Sequence, residues 1–232
     1  MRGKPFTMNR LLRRSLFGAA ALTVASASPA AAQWDFGIFA GPTNADFTGS
    51  YVESSVGTWG FTLGVFVERR FSRHFSLEAG VSMLGQAGSF KVKSLGRDSI
   101  WDYRTGYLQV PIAVNYLLPI ADDKWELRGF AGFSPAFGGS CEIKPSNQFS
   151  FDTDCGGAGL PGGDFEKFDL LLQFGVGFDR VFNGGSGFGF DARYSIGTQN
   201  VLGEAAANGL SAKNRILDIK FRLFLPLEGP RR

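Results

Sequence analysis

Few residues of this chain could do chemistry: two cysteines, one histidine and a set of charged side chains at alternating positions. Cys141 and Cys155 lie in one polar segment, whereas His74 lies between Arg73 and Phe75 in a tight connection. A two-cysteine metal site needs further ligands such as histidine nearby, and a serine or cysteine nucleophile needs a base within reach. Because no histidine lies near the cysteines, the sequence predicts no catalytic residue, no metal site, no cofactor and no enzymatic activity.

The N-terminus has the composition of an export signal. Five basic residues accompany an apolar, small-residue stretch over Leu16–Ala27, and alanines at 30–32 suit a cleavage site before Gln33. We therefore predict a signal peptide over residues 1–32, a barrel domain over 33–227 and a short tail over 228–232. Removing the signal changes the formal net charge from +3 to −2, because it carries five bases and no acid. The apparent basicity therefore gives no reason to expect a nucleic-acid partner.

Export also bears on the two cysteines. An exported chain enters an oxidising compartment, where two cysteines in one loop form a disulfide by default. We predict a bond between Cys141 and Cys155 within the long connection Ala136–Lys167. In the loop-entropy account such a bond contributes at most ~3 kcal/mol against the unfolded chain.

Strict alternation of apolar and polar residues marks eight segments. From Leu108 to Tyr116 every second residue is apolar or aromatic, and the residues between them are small or polar. This period of two predicts strands with one apolar face, and no apolar run approaches the ~20 residues of a spanning helix. The predicted strands are Trp34–Gly41, Thr58–Arg70, Phe75–Leu84, Gly106–Pro119, Trp125–Pro135, Phe168–Val181, Phe188–Gly197 and Arg215–Leu225.

The charges of these strands lie on the face opposite the apolar rows. A soluble sandwich would turn this charged face to water, whereas a membrane barrel would enclose it and turn the apolar rows to lipid. Glycine is frequent on the charged face, which suits a narrow interior. The predicted interior charges, which must pair because they are buried, are Glu68, Glu78, Glu126, Arg128, Asp169, Asp191, Arg193, Asp218, Lys220 and Arg222.

Connection lengths and aromatic positions favour the membrane barrel. Short connections over Phe71–His74, Ile120–Lys124 and Phe182–Gly187 alternate with long ones over Pro42–Gly57, Gly85–Asp102, Ala136–Lys167 and Thr198–Asn214. Outer-membrane barrels have short periplasmic turns, long outer loops and aromatic girdles, so both termini are predicted to be periplasmic. The predicted interface aromatics are Trp34, Tyr116, Trp125 and Phe188 at the periplasmic end and Trp59 and Phe168 at the outer end. We therefore predict an all-β fold, an antiparallel up-and-down transmembrane barrel of about eight strands.

Pro111 interrupts the most regular of these strands. A closed barrel has no free edge and proline donates no ladder hydrogen bond, so a bulge or a locally broken pair should accommodate it. In a simple register Trp101, Tyr103 and Tyr107 would face inward. Either Gly106 hosts a second bulge, or these residues belong to the preceding loop.

The segment GYLQVPIAVNYLLP, Gly106–Pro119, resembles the characteristic central strand of the PorT-like porin family of bacterial outer-membrane β-barrel domains. Its aromatic–Leu–polar–aliphatic–Pro–aliphatic core carries the resemblance, and the strand rhythm extends it from Trp34 to Leu225. The chain departs from the usual pattern by continuing as Pro226–Arg232, so Phe221 or Phe224 would serve as the terminal aromatic for barrel assembly. The resemblance implies a fold and an outer-membrane location more than a transport activity.

These features predict a non-enzymatic outer-membrane barrel of a Gram-negative-type envelope that anchors the chain and displays outer loops for surface interaction. The alternative is a narrow passive porin for small solutes, although side chains fill a barrel of about eight strands. The expected partners are outer-membrane lipid, the barrel-assembly machinery and an unidentified extracellular ligand. The chain is expected to be a monomer.

Overall fold

The chain forms one antiparallel sheet that closes on itself. A computed structural model describes residues 33–50, 54–94, 97–121, 124–145, 153–154, 166–201, 209 and 211–227, with backbone alone for 54–56, 86–94, 97–103, 140–145 and 153–154. The strands in this part of the chain are β1 (Gln33–Thr48), β2 (Ser54–Arg70), β3 (Phe75–Ser94), β4 (Arg97–Gln109), β5 (Ile112–Ile120), β6 (Trp125–Pro145), β7 (Thr153–Asp154), β8 (Phe168–Val181), β9 (Gly187–Gly197) and β10 (Lys213–Pro226). The predicted signal peptide over residues 1–32 lies outside the described residues.

The hydrogen-bond pattern shows how the sheet closes. β1 pairs with β2 on one side and with β10, the last strand, on the other. β4 and β5 are two halves of one barrel strand, because both pair with β3 and with β6, and β7 is a two-residue addition to β6. The fold is therefore a closed up-and-down barrel of eight antiparallel strands, as predicted. None of the described segments is a helix with the length and hydropathy to cross a membrane.

The predicted alternation of the two faces is clearest in β10. From Asn214 to Phe224 every second residue is buried, and the residues between them are exposed. The exposed set is apolar from Leu217 onward and the buried set includes charged residues. Side chains that alternate in this way across a strand place one row in the barrel lumen and the other on its outer wall.

Five strands extend into segments that the sequence analysis predicts to be loops. The segments Pro42–Gly57 and Gly85–Asp102 were expected to be loops, but β1 continues to Thr48, β2 begins at Ser54, β3 reaches Ser94 and β4 begins at Arg97. Likewise β6 continues to Pro145, into the segment expected to be the longest loop. The backbone ladder continues without an apolar row, so the alternation that marks a lipid-facing strand is lost while the hydrogen bonds persist.

Pro111 lies in a break between β4 and β5 with no shift in register. Gly80 N–H donates to Pro111 O over 3.0 Å and Val110 N–H donates to Pro135 O over 2.9 Å. Because Pro111 and Pro135 both lack an N–H, each of these two adjacent pairs has a single hydrogen bond. The register shift occurs instead between Thr105 and Tyr107. Between these pairs β6 has one residue more than β4, so the bulge lies on β6 opposite Gly106 and not at Gly106 itself, which pairs with Gly85 without a shift. The residues before Gly106 belong to β4.

The turn between β8 and β9 is a short hairpin connection, as expected, but its geometry differs in one respect. Phe182 N–H donates to Ser186 O over 2.8 Å and Gly185 N–H donates to Phe182 O over 2.9 Å. The positive φ of this turn, +84°, is at Gly185, although an Asn–Gly pair such as Asn183–Gly184 commonly supplies positive φ in hairpin turns. Glycine suits this position because the left-handed region costs it nothing.

Candidate functional site

The barrel interior is the most distinctive chemical environment among the described residues. All ten charges predicted to face inward are buried there. Sequence reasoning left Asp35, Asp179 and Arg70 out of that set, although Asp35 and Asp179 have the same parity as their charged neighbours. Both aspartates are buried, and Arg70 is nearly so. The signal that could have found the two aspartates is strand parity, already used for the other ten.

Arg128 is the centre of the interior network. Its guanidinium donates a hydrogen bond to Asp191 Oδ1. Its Nη1 atom also lies 3.5 Å from Asp179 Oδ2, 3.8 Å from Glu78 Oε2 and 4.0 Å from Glu68 Oε2. These four carboxylates come from four strands, β2, β3, β8 and β9, so one cation from β6 joins distant parts of the wall. A guanidinium suits this position because it stays protonated and offers several donors.

Arg222 reaches the same carboxylates from β10. Its Nη1 atom lies 2.8 Å from Glu78 Oε2 and 3.2 Å from Asp191 Oδ2, and its Nη2 atom lies 3.5 Å from Glu68 Oε2. Glu68 and Glu78 are direct cross-strand partners. Like charges at such positions repel, so the two arginines are needed to hold this pair of glutamates in the lumen.

Further polar contacts extend the network around the lumen. Arg193 donates to Gln173 Oε1 over 3.0 Å and to Glu78 Oε1 over 3.2 Å. Ser76 Oγ donates to Glu68 Oε1 over 2.5 Å. Lys220 Nζ lies 3.4 Å from Asp218 Oδ2. The network thus consists of shared contacts rather than isolated pairs, which is the form in which buried charges are tolerated.

A second group of ion pairs lies in the lumen at the end of the barrel where the connections are short. Arg70 donates to both carboxylate oxygens of Glu126, over 2.8 and 2.7 Å, and its Nε donates to Asp35 Oδ2 over 3.3 Å. The forked contact with Glu126 joins β2 to β6, which are not neighbours in the sheet. Bidentate arginine–carboxylate contacts have a fixed geometry, so Arg70 spans the lumen as a cross-link.

Aromatic rings and glycines fit around these cations. The Arg222 guanidinium lies 4.1 Å from the Phe66 ring centroid, Lys220 Nζ lies 4.6 Å from that of Phe39, and Arg193 lies 4.8 Å from that of Phe130. A methyl group at Gly37 would overlap Phe66, and one at Gly175 would overlap Phe130. The glycines of the charged face therefore leave room for large neighbours in a narrow lumen.

Two apolar clusters lie beside the network. One consists of Phe39, Phe66, Val181 and Phe224, and two of its rings contact Lys220 and Arg222. The other lies toward the end opposite the short connections and consists of Ala45, Leu84, Tyr107, Ala136, Leu171 and Ile216. Asp169 is buried beside this second cluster, where it accepts hydrogen bonds from Asn214 Nδ2 over 2.9 Å and from Gln199 N–H over 3.2 Å. Apolar side chains thus fill the lumen beside the ionic groups.

The six predicted interface aromatics lie on the outward-facing rows. Tyr116 and Trp125 lie near the short connections. Tyr116 contacts Phe75, with ring centroids 5.2 Å apart, and Trp125 contacts Phe178 at 5.7 Å. Trp34 and Phe188 have the same location, whereas Trp59 and Phe168 are exposed farther toward the other end. Phe168 contacts Phe137 at 5.5 Å.

The histidine takes no part in the interior. His74 is exposed, its Nδ1 atom lies 3.0 Å from Leu117 O, and its ring stacks on Tyr116. The predicted disulfide falls outside the described residues, because Cys155 is not described and Cys141 is described by its backbone alone. Among the described residues no group of three or more histidine, cysteine, aspartate or glutamate side chains has the arrangement of a metal site. The ion pairs described above can cross-link the strands of the barrel wall.

The chain was compared with known families and structures. The family model described as "Outer membrane protein beta-barrel domain" matches residues 25–203, most of the chain, and ends before β10. No curated protein is significantly similar in sequence. OprG from Pseudomonas aeruginosa is similar at 15% identity, with a TM-score of 0.47 over 82% of this chain and 95% of that one. Ail, the attachment invasion locus protein of Yersinia pestis, is similar at 13% identity, with a TM-score of 0.41 over 82% and 99%. Neisserial surface protein A (NspA) is similar at 12% identity, with a TM-score of 0.43 over 81% and 96%.

Proposed function

Because the chain belongs to the outer membrane protein β-barrel domain family, we propose that it is a closed, non-enzymatic barrel that displays its outer segments at the cell surface. The family implies an outer-membrane location. Within the family, the central strand Gly106–Pro119 supports a place among the PorT-like porins. The proposed partners are outer-membrane lipid, the barrel-assembly machinery and an unidentified ligand outside the cell, and the proposed state is a monomer.

One observation carries the proposal of a closed barrel: side chains from opposite parts of the wall meet in the lumen. Arg128 of β6 contacts carboxylates on four other strands, and Arg70 joins β2 to β6. Two apolar clusters lie in the lumen beside this network. An open pore requires separated walls with water between them, so contacts across the lumen favour an anchor over a channel.

The proposed orientation puts the short connections in the periplasm. These connections, at 71–74, 121–124 and 182–186, all lie at the end of the barrel that holds both termini of the described chain. The opposite end carries the extended hairpins of β1–β2 and β3–β4 and the connection after β6. In outer-membrane barrels the shorter turns face the periplasm. The described part of the surface displayed to the outside would then include the paired strands of these hairpins.

Planar-bilayer conductance tests the closed barrel. The wild type is compared with a double variant, Glu78→Ser with Arg222→Ser, which removes two side chains that contact each other over 2.8 Å in the lumen and leaves the net charge unchanged. The matched control is Asp46→Ser with Arg215→Ser, which removes an ion pair from the outward row of β1 and β10. We expect the wild type and the control to be silent and the lumen variant to conduct.

A narrow passive pore is the second candidate, and the composition of the lumen favours it. The fully buried charged residues among those described are eight acids and four bases. Buried hydroxyls of Thr43, Thr62, Ser82 and Ser134 find no hydrogen-bond partner among the described residues, so internal water would suit them. Such a pore would select cations. Stable conductance steps of the wild type, carried by cations over anions, would support this candidate and refute the closed barrel.

Membrane placement has its own test, independent of conductance. A folded barrel of this kind should remain compact in detergent, so that an unboiled sample migrates differently from a boiled one on a gel. We expect this heat-dependent shift for protein extracted from the membrane fraction. Recovery of the mature protein from the periplasm without detergent would contradict the placement.

A further inference from the structure

The outer surface of the short-connection end carries cations beside aromatic rings. The Arg69 guanidinium lies 5.3 Å from the Trp34 ring centroid and 5.5 Å from that of Phe71. Arg69 and Phe71 are exposed, whereas Trp34 is partly buried against the wall. A guanidinium held over rings in this way is attracted by their negative faces. Arg69 is therefore positioned at the surface, beside apolar side chains.

A second group of the same kind lies on another side of the barrel. The Arg180 guanidinium lies 4.8 Å from the Trp125 ring centroid, and its Nη1 atom donates to Lys124 O over 3.4 Å. The Trp125 ring in turn contacts Phe178. Two groups built from an arginine, a tryptophan and a phenylalanine thus recur on β1–β2 and on β6–β8. We call them the Arg69 group (Arg69, Trp34, Phe71) and the Arg180 group (Arg180, Trp125, Phe178).

Among the described residues at this end of the barrel, the acids and the exposed bases lie on different faces of the wall. The described acids here, Asp35, Glu68, Glu126 and Asp179, are all buried in the lumen. The described bases on the outside, Arg69, Arg73 and Lys124, are exposed, and Arg180 is partly so. Among the described residues the outer surface of this end is therefore cationic, although the lumen behind it is rich in carboxylates. These described bases are complementary to negatively charged groups that surround the barrel at this level.

The location of the two groups indicates which negatively charged groups these are. They lie where the outward apolar rows end, which is the depth of lipid headgroups in a membrane-spanning barrel. At that depth tryptophan and phenylalanine contact acyl chains, while arginine and lysine reach phosphate oxygens. We propose that the Arg69 and Arg180 groups bind anionic phospholipids, with the guanidinium on the phosphate and the rings against the upper acyl chain. The proposal rests on membrane insertion but not on the absence of a pore.

Lipid preference in nanodiscs tests this proposal. The mature barrel is reconstituted in phosphatidylcholine with or without phosphatidylglycerol, and co-purified lipid is quantified by native mass spectrometry. The variant is Arg69→Gln with Arg180→Gln. The matched control, Arg104→Gln with Lys167→Gln, removes two exposed charges from the opposite end. A cation near an anionic surface contributes about 1 kcal/mol, which corresponds to a change of about fivefold.

We expect the wild type and the control to retain phosphatidylglycerol preferentially. The double variant should lose about fivefold of that preference for each charge removed, and Arg69→Lys with Arg180→Lys should restore part of it. An equal loss in the control would show a net-charge effect and overturn the two-group site, as would an unchanged preference in the variant. Because all variants are assayed as folded barrels in a bilayer, failure to insert would refute the proposed membrane function instead, and conductance plays no part in the result.

Discussion

Along β10 the outward side chains Leu217, Ile219 and Phe221 are apolar and exposed, whereas their inward neighbours Asp218, Lys220 and Arg222 are charged and buried. A water-soluble protein sorts these residue types the other way, because buried charges cost free energy and buried apolar surface is favourable. The inversion is explained if the outer wall meets hydrocarbon and the lumen is filled by protein. One strand therefore serves two environments, and its two rows are governed by different energetics.

The two rows also differ in how their members interact. An outward residue such as Val176 contacts its immediate neighbours on the wall and depends on the bilayer for its burial. An inward residue such as Arg128 depends on groups from four other strands. A change in the lumen therefore leaves several unpaired charges behind, whereas a change on the wall alters one contact with lipid.

The largest expected effect comes from breaking the inward row at its centre. Arg128→Met should lower the free energy of unfolding by ~3–5 kcal/mol, because Asp179 and Asp191 then share a buried site with less compensating charge. The measurement is urea unfolding in lipid vesicles. The control is Arg215→Met, which removes the cation of the outward ion pair with Asp46 and should cost at most about 1 kcal/mol. Similar small losses in both variants would mean that the lumen is hydrated like an ordinary surface.

The next effect comes from placing a charge on the outward row. Val176 is 65% exposed on the outer wall of β8. Val176→Arg should cost ~2–4 kcal/mol of unfolding free energy, because a cation near the bilayer midplane is poorly solvated. Val176→Leu provides the matched control and should change little. An unchanged unfolding free energy for the arginine variant in vesicles would refute the assignment of this row to lipid.

A smaller effect is expected when one methyl group is added to the inward row and not when it is added to the outward row. At Gly175 an added methyl group would overlap the Phe130 ring and the backbone of Ala192, whereas at Gly129, on the outward row, it would meet no atom within 4 Å. Gly175→Ala should therefore cost ~1–3 kcal/mol through overpacking. Gly129→Ala should be close to neutral in the same vesicle assay. Equal behaviour of the two variants would show that the lumen has room to spare.

The smallest effect on the barrel is expected from the predicted disulfide. Cys141→Ser should increase cleavage of the outer connection by protease added to intact cells, while the unfolding free energy of the barrel stays within error of the wild type. The reason is that the bond would restrain a segment beyond the lipid-facing rows. Two free thiols in the unreduced protein, found by mass mapping, would contradict the pairing with Cys155. Failure of the variant to insert would contradict the independence of the barrel.

Most of the barrel wall could be predicted from the sequence, because the bilayer and the lumen select different side chains on alternate residues of a strand. The predicted strands ended where that alternation ends. The extensions of β1 to Thr48 and of β3 to Ser94 have no apolar row, so only the backbone ladder marks them. The break at Pro111 was foreseen from the missing donor. That a second proline, Pro135, lies opposite the adjacent residue Val110 depends on a register that the sequence does not contain.

The interior was predictable as a set of residues but not as a set of contacts. Parity placed Glu68, Glu126 and Arg128 in the lumen, and the two glutamates considered as partners of Arg128 were Glu126 and Glu78. In the structure Glu126 contacts Arg70 instead. Arg128 lies 3.8 Å from Glu78 and also contacts Asp191 from β9. Partners across a lumen are set by closure of the sheet, which brings together strands that are distant along the chain.

The sequence by itself determined the class of fold, the eight barrel strands and the face to which each charge belongs, because a strand in contact with lipid needs an apolar row on one side only. Tertiary structure alone decided which charges share a contact, such as Arg222 with Glu78, and how far the hairpins extend beyond the apolar rows. The physical reason is that solvation acts locally along the chain, whereas the contacts across the lumen join distant strands. Solvation acts on one side chain at a time and leaves a local pattern, whereas pairing across the lumen and ladder extension depend on strands that meet only after the barrel has closed.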